Sequence, residues 1–174
     1  MQEIDFIFSI LVLVFSVIIH ELAHGYVAEY LGDPTARLAG RLTFNPIKHI
    51  DPVGSLLFPA VSYLLGGFIF GWAKPVPYNP YNLKNQRWGT ALVAGAGSLA
   101  NLFIALVFSM IIRYHEVLSI NSPAFLKIAG TVVFINILLA VFNMIPIPPI
   151  DGSKVLFSFL PYKFHYIQEF LERY

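Results

Sequence analysis

The motif His20-Glu21-Leu22-Ala23-His24 places two histidines and an acid at a spacing that suits a metal site. Residues four apart on a helix share one face, so both imidazoles can reach one metal ion while Glu21 reaches a water molecule beside it. Neutral imidazoles bind Zn²⁺, which lowers the pKa of a bound water toward about 7. The motif therefore predicts a zinc site in which Glu21 is the general base. The alternative is a hydrogen-bonded cluster that only fixes helix packing.

Two histidines and a water leave a catalytic zinc site one protein ligand short. The chain contains no cysteine, so the third ligand should be an oxygen. Asp151 is the strongest candidate because, apart from Glu21, it is the acid set deepest in apolar sequence, with two prolines shortly before it and a glycine after it. Alternatively, Asp151 is the N-cap of a helix that starts at Ser153.

The composition indicates that a membrane protein carries these residues. Of 174 residues, 57% are hydrophobic and 12% are charged, against about 45–50% and 25% in soluble domains. This surplus of apolar residues indicates that the chain lies in a lipid bilayer. The formal net charge of +1 excludes a strong attraction for nucleic acid, so no nucleic-acid partner is expected. Apolar stretches of about 20 residues, long enough to cross a bilayer as helices, lie at residues 6–27, 53–72, 88–112 and 125–145.

The stretch at residues 53–72 is predicted to be re-entrant, because Pro59 and three glycines interrupt it. A full crossing would place Asp151 on the opposite side of the membrane from His20 and His24, and the three could not share a metal ion. A re-entrant path restores the parity and leaves three core transmembrane helices. Nine of the eleven basic residues then lie on the side of the motif, which the positive-inside rule identifies as the cytoplasm.

Two amphipathic stretches are expected at the membrane surface. Residues 37–44 alternate between apolar and polar side chains, which predicts a short β-strand, with an interfacial loop as the alternative. Residues 162–174 repeat apolar side chains at spacings of three and four, which predicts an interfacial helix or the start of a further span. The predicted fold is one domain, residues 1–174: an all-α integral membrane protein with a re-entrant segment and a small membrane-associated β element.

The chain resembles the site-2 protease family of intramembrane zinc metalloproteases, in its short bacterial and archaeal branch without PDZ or CBS domains. Two motifs carry the resemblance together, HELAHG at residues 20–25 and NMIPIPPIDG at residues 143–152, and AGAGSLAN at residues 94–101 adds weaker support. The resemblance covers nearly the whole chain. Ser98 departs from it, because the family usually has proline at this position.

The resemblance implies that His20, His24 and Asp151 hold zinc and that Glu21 is the base. It also implies a substrate-binding role for Asn143 and for an edge strand beside the site, which corresponds here to the predicted strand with Arg41, Leu42 and Thr43. Asn143 has a plainer alternative: it lies seven residues after Asn136, so both side chains share a helix face and could only join helices.

These observations predict a zinc-dependent endopeptidase that hydrolyses peptide bonds in or near transmembrane segments of other proteins. The expected location is the cell membrane, with several spans and the active site toward the cytoplasm. One alternative is a zinc transporter or sensor without catalysis, for which an acid at Glu21 has no use. Another is a membrane-embedded peptidase of soluble peptides, which would need a wide aqueous chamber.

Overall fold

The computed structural model describes residues 2–58, 61, 62, 64 and 72–161, and every regular element in that part of the chain is helical. The α-helices are α1 (Gln2–Tyr30), α2 (Thr35–Leu38), α3 (Gln86–Arg113), α4 (Pro123–Asn143) and α5 (Asp151–Phe159). Short 3₁₀ turns occur at Pro46–His49 and Pro80–Asn82, and a π-helical turn at Pro52–Leu57.

Helices α1, α3 and α4 are long and apolar enough to cross a membrane, which confirms the prediction of three such helices. They contain the predicted stretches 6–27 and 88–112, and all of 125–145 except its last two residues. Many large apolar side chains on all three helices face outward, as lipid-facing side chains do in a membrane protein. This chain is therefore a membrane protein with three candidate transmembrane helices.

Helix α3 is the central helix, because it packs against α1, α4 and α5. Small residues on its first half are buried, among them Ala94, Ala96 and Gly97. Small side chains let the backbones of membrane helices approach closely. The helix begins at a cap in which the Asn85 side chain accepts a hydrogen bond from the Trp88 backbone N–H. This packing brings the first half of α3 against the second half of α1.

The predicted strand at residues 37–44 is wrong, and no strand occurs among the residues that the structure describes. Helix α2 takes up its first residues, and Gly40 then turns the chain with a φ of +62°. The expected burial is also reversed: Leu38 is 82% exposed, whereas Arg41 is 7% exposed. The Arg41 guanidinium donates from Nη2 to the carbonyl oxygens of Lys74 and Pro75, at 2.7 and 3.3 Å. Alternation along a sequence cannot distinguish a strand from a loop that buries a hydrogen-bonded arginine.

Of the predicted re-entrant stretch, residues 53–72, the structure describes the two ends, 53–58 and 72, and residues 61, 62 and 64 between them. These ends are hydrogen-bonded to each other: the Trp72 N–H donates to the Gly54 carbonyl oxygen at 3.0 Å, and the Ser55 hydroxyl donates to the Trp72 carbonyl oxygen at 2.9 Å. A segment that starts and finishes at one place fits a re-entrant path, which stays a prediction. The interfacial helix predicted at residues 162–174 lies outside the described residues.

A buried carboxylate after α1 fixes the segment that leads to α3. The Asp33 side chain is completely buried and accepts hydrogen bonds from four donors: the Thr35 N–H and hydroxyl, the Asn79 N–H and the Asn82 side-chain amide. Burial raises the pKa of the Asp33 carboxyl, but the four hydrogen bonds outweigh burial and hold its pKa below the usual value. The loop that passes over the end of α1 is thereby fixed.

Candidate metal centre

Helix α1 presents His20, Glu21 and His24 together in its second half. His20 is 5% exposed and His24 is 7% exposed. Their rings meet edge to face, with centroids 4.6 Å apart. One nitrogen of each ring and one carboxylate oxygen of Glu21 all lie within 4.8 Å of one another, close enough to face one metal ion. The helical spacing of the motif thus converges the three groups as the sequence predicted.

The first residue of α5 brings a second carboxylate to the two histidines. Asp151 Oδ2 lies 3.2 Å from His20 Nε2 and 3.0 Å from His24 Nε2. The N-cap of α5 is Ile150, so Asp151 is not the cap of a helix that starts at Ser153. Helix α5 can approach this closely because Gly152 has no side chain: a Cβ there would lie 2.4 Å from the Met144 backbone.

The outer nitrogens of both imidazoles have partners that decide which ring nitrogen carries the proton. His24 Nδ1 lies 2.7 Å from the Val93 carbonyl oxygen, and His20 Nδ1 lies 2.7 Å from Asn101 Oδ1. Both partners are acceptors, so each Nδ1 is the donor and each neutral ring keeps its lone pair on Nε2. The two lone pairs therefore point at the Asp151 carboxylate.

Three electron-pair donors that converge in this way need positive charge between them. A bound cation provides it; without one, protons must lie between the groups, on the imidazoles or on the carboxylate. Two imidazolium rings within an apolar helix are costly. The donor set of two nitrogens and one oxygen fits Zn²⁺, which binds imidazole and carboxylate in catalytic sites. Each of the three side chains also has a polar partner on its other ring nitrogen or oxygen, as metal ligands typically do.

Asp151 has a further partner on its other oxygen. The Lys154 ammonium lies 3.2 Å from Oδ1, so only Oδ2 faces the histidines. The Lys154 ammonium beside Oδ1 favours the ionised form of the carboxylate, which is the form that binds a metal ion.

Glu21 is held beside the cluster by the chain that precedes α3. The Val76 backbone N–H donates to Glu21 Oε2 at 2.7 Å, and Val76 is buried. Arg41 fixes the same stretch through the Lys74 and Pro75 carbonyl groups. The Glu21 carboxylate thus has one oxygen in a fixed hydrogen bond, which orients it.

The residues predicted to bind substrate are not brought into the cluster by any described contact. Asn143 donates from its side-chain amide to the Leu139 carbonyl oxygen of its own helix, at 2.9 Å. Arg41 is buried in loop contacts, and the Thr43 carbonyl oxygen contacts His49 Nε2 at 2.8 Å. Leu42 lies against Gly25 of α1, where a Cβ would come within 2.5 Å of it. Substrate binding by these four residues stays a prediction.

Sequence reasoning did not assign Asn101, Gly97 or Lys154 to the site. Asn101 gave the best signal, because an amide in an otherwise apolar span is costly unless it has partners. Gly97 lies against His20, and Lys154 follows Asp151 by three residues on α5. The contact of Gly97 with His20 depends on the packing of α3 against α1, whereas the contact of Lys154 with Asp151 lies within α5.

Comparison with known proteins bears on this arrangement. The model of peptidase family M50 matches residues 8–129 and 115–170. Three similar proteins carry the name "Putative zinc metalloprotease". They are YwhC of Bacillus subtilis (38% identical over 88% of this chain and 69% of that protein), Rip2 of Mycolicibacterium smegmatis (31% over 81% and 52%) and MJ0611 of Methanocaldococcus jannaschii (32% over 86% and 72%). This chain thus spans about half the length of the mycobacterial relative. No solved structure matches the chain.

The family match covers most of the chain, and it includes both the His-Glu-x-x-His motif and Asp151, which the fold brings together. This confirms the resemblance to site-2 proteases and the expectation of zinc as cofactor. The chain belongs to peptidase family M50, and it is a membrane zinc metalloprotease of that family.

Proposed function

We propose that this protein cleaves peptide bonds in or near the transmembrane segments of other membrane proteins, with its active site toward the cytoplasm. One observation carries the proposal: Asp151 converges with His20 and His24, which lie in a helix that is long and apolar enough to span the bilayer. His20 lies 14 residues after Phe6, the first residue of that candidate span, so it is roughly 21 Å along the helix. In a hydrocarbon core of about 30 Å, the site lies within roughly 10 Å of one edge.

The proposed metal ligands are His20 Nε2, His24 Nε2 and Asp151 Oδ2, which leave a fourth position for water or substrate. When bound, Zn²⁺ supplies Lewis-acid polarisation of the scissile carbonyl and makes the attacking water more acidic. Glu21 takes the proton of that water and later gives it to the leaving amine. The Val76 N–H holds one Glu21 oxygen, and the other oxygen is available for the proton.

The substrate must unwind before it is cut, because a helix engages its peptide groups in internal hydrogen bonds. The three long helices of the described residues leave little space for a wide chamber, which favours a single extended segment over folded or bulky substrates. Asn143, at the end of α4, is proposed to contact the unwound backbone of the substrate. A contact with substrate would require its amide to leave the Leu139 carbonyl oxygen.

Proteolysis by the purified, reconstituted protein tests the proposal. Liposomes that contain the protein and one of a panel of single-span proteins are assayed for cleavage, and the sites are located by mass spectrometry. Cleavage within or beside the spans is expected, with loss of activity on chelation and recovery with Zn²⁺. Zinc binding without cleavage of any panel member, and without a difference between wild type and Glu21→Gln, would instead indicate a zinc transporter or sensor.

A further inference from the structure

We propose that Asn101 is a positioning residue that fixes the tautomer and the ring orientation of His20, and that Asn136 and Ser16 in turn fix Asn101. The inference rests on the proposed role of His20 as a metal ligand and extends it to three residues outside the cluster. It assigns them to a relay of hydrogen bonds that joins the metal site to the packing of all three long helices.

The relay starts at the imidazole. His20 Nδ1 lies 2.7 Å from Asn101 Oδ1. The amide nitrogen of Asn101 donates to Asn136 Oδ1 at 2.8 Å and to the Ser16 carbonyl oxygen at 3.3 Å. The amide nitrogen of Asn136 donates to the Ser16 hydroxyl and to the Val132 carbonyl oxygen, both at 2.9 Å. Each amide therefore has its oxygen and its nitrogen engaged, across α1, α3 and α4.

This pattern decides the direction of every hydrogen bond. The Val132 carbonyl group can only accept, so the side chain of Asn136 must present its nitrogen there and its oxygen to Asn101. Asn101 then presents its nitrogen to Asn136 and its oxygen to His20. An oxygen at that place requires a proton on His20 Nδ1, which leaves the lone pair on Nε2 for a metal ion. The tautomer of His20 is thus set by a carbonyl group on α4, three hydrogen bonds away.

Helix packing alone does not account for the arrangement. Asn101 and Asn136 are completely buried and Ser16 is nearly so, in helices whose other buried side chains are mostly apolar. A bridge between α1, α3 and α4 would be complete with the two donors of Asn101 alone. The Asn101 oxygen instead lies on the ring nitrogen opposite the one that faces Asp151. Outer partners of metal-binding histidines typically contribute 10–100-fold to metal affinity or activity.

The first test compares Asn101→Leu with Ser98→Ala. Ser98 is buried on the same helix, one turn earlier, and its hydroxyl has no hydrogen-bond partner among the described residues. It is therefore a matched removal of a buried polar group. The dissociation constant for Zn²⁺ is measured on folded, detergent-solubilised protein by competition with a chelator, and the visible spectrum is recorded with Co²⁺. Asn101→Leu should weaken zinc binding about 10–100-fold and alter the Co²⁺ spectrum. Ser98→Ala should change neither.

The second test acts one step further from the metal and does not depend on whether Asn101→Leu folds. Asn136→Leu removes the acceptor that orients Asn101, so zinc affinity should fall by roughly 10-fold, the lower end of the same range. Asn136→Asp retains an acceptor for the Asn101 amide, and the Ser16 hydroxyl can rotate to donate to it. This variant should recover most of the zinc affinity, although it lacks the bond to Val132.

The outcomes separate this inference from the proposed function. If wild type binds no zinc that depends on His20 and His24, the proposed function fails. If wild type binds zinc and both leucine variants bind it equally well when folded, the relay only packs helices and the inference is overturned. A fall in thermal stability without a change in zinc affinity or in the Co²⁺ spectrum has the same meaning.

Discussion

Gly97 of α3 lies directly against the imidazole of His20. A Cβ placed on Gly97 would come within 2.5 Å of both Cε1 and Nε2 of that ring, a distance that real Cβ atoms essentially never show. The contact atoms include the proposed metal-binding nitrogen. His20 can therefore occupy its position only because residue 97 has no side chain. The same glycine also lets α3 pack closely against α1.

We expect Gly97→Ala to impair the metal site. The new methyl group forces either the His20 ring or the whole of α3 to move by several tenths of an ångström, so Nε2 leaves the position opposite Asp151. Zinc affinity should fall by at least about 10-fold, because metal sites tolerate distance errors of only about 0.2 Å. Chelator competition measures the change.

Gly95→Ala is the matched control for that variant. Gly95 lies two residues earlier on α3, and a Cβ there would meet nothing within 4 Å. The substitution should stabilise the helix slightly, since alanine has the higher helix propensity, and it should leave zinc affinity unchanged. Equal zinc binding by the two alanine variants would show that Gly97 does not constrain His20.

Glu21→Gln should retain zinc and abolish cleavage. The amide is nearly isosteric with the carboxylate, and its oxygen can still accept from the Val76 N–H, but it cannot take a proton from water. Metal analysis and a cleavage assay are run on the same preparation. Cleavage by this variant at the wild-type rate would contradict the role of Glu21 as base.

Asp151→Ala should have the opposite signature, with loss of metal. One of three proposed protein ligands disappears, and the two histidine lone pairs lose the carboxylate that they face. The expected result is a purified protein with little bound zinc and no activity. Full zinc content in this variant would remove Asp151 from the ligand set and leave Lys154 as its main partner.

The positions of the site residues were predictable for two reasons. Some follow from spacing along one helix, and others are polar residues in an apolar sequence, where a polar residue is unusual. The spacing of His20 and His24 fixes their common face on any helix, whatever the tertiary structure. Asp151 was identifiable because a lone acid in apolar sequence needs a partner. The three long helices lie where the sequence has apolar stretches of about 20 residues, the length that a bilayer requires. A fourth stretch of that length, residues 53–72, differs from them because Pro59 interrupts it.

The loops were not predictable in the same way. Arg41 looked like the polar side of a strand, but two carbonyl groups more than 30 residues away make its burial favourable. Asn101 could be assigned to packing or to function from the sequence, because its role depends on which amide atom faces α1. Both cases depend on contacts between residues that are distant in sequence. Hydrophobic periodicity carries no information about such contacts.

Asp33 predicts how stability responds to acid. Its lowered pKa means that the folded state favours the ionised carboxylate, so its contribution to the free energy of unfolding is complete above about pH 3.8, the ordinary value. The contribution is lost as the pH falls through the lowered pKa. Thermal midpoints of the metal-free protein in detergent should therefore decline more steeply below about pH 4 in wild type than in Asp33→Asn.

The same comparison has a second readout at neutral pH. Asp33→Asn replaces one acceptor oxygen with an amide nitrogen, so at least one of the four donors loses its partner, at a cost of about 1–3 kcal/mol. The variant should have a lower thermal midpoint than wild type at pH 7, and the difference in thermal midpoint should become smaller in acid. A difference that stays constant from pH 7 to pH 3 would mean that the pKa of Asp33 is the same in the folded and unfolded states.

Membrane topology provides the last prediction, and the absence of cysteine from the chain makes labelling straightforward. Single cysteines are introduced at Ile47, Tyr81 and Val117, which are 74%, 81% and 82% exposed. The first two flank the predicted re-entrant stretch, and the third lies between α3 and α4. If that stretch returns to the side where it enters, as the contacts of Trp72 with Gly54 and Ser55 suggest, positions 47 and 81 must share one side. The positive-inside rule predicts that this side is the cytoplasm. Position 117 should then label only from outside, with a membrane-impermeant thiol reagent applied to intact cells and to inverted vesicles.

Labelling of 47 and 81 from opposite sides would mean that the stretch crosses the bilayer, and labelling of both from outside would reverse the proposed orientation. A crossing is difficult to reconcile with the site itself, because Asp151 would then emerge on the far side of the membrane from the end of α1 that carries His20 and His24.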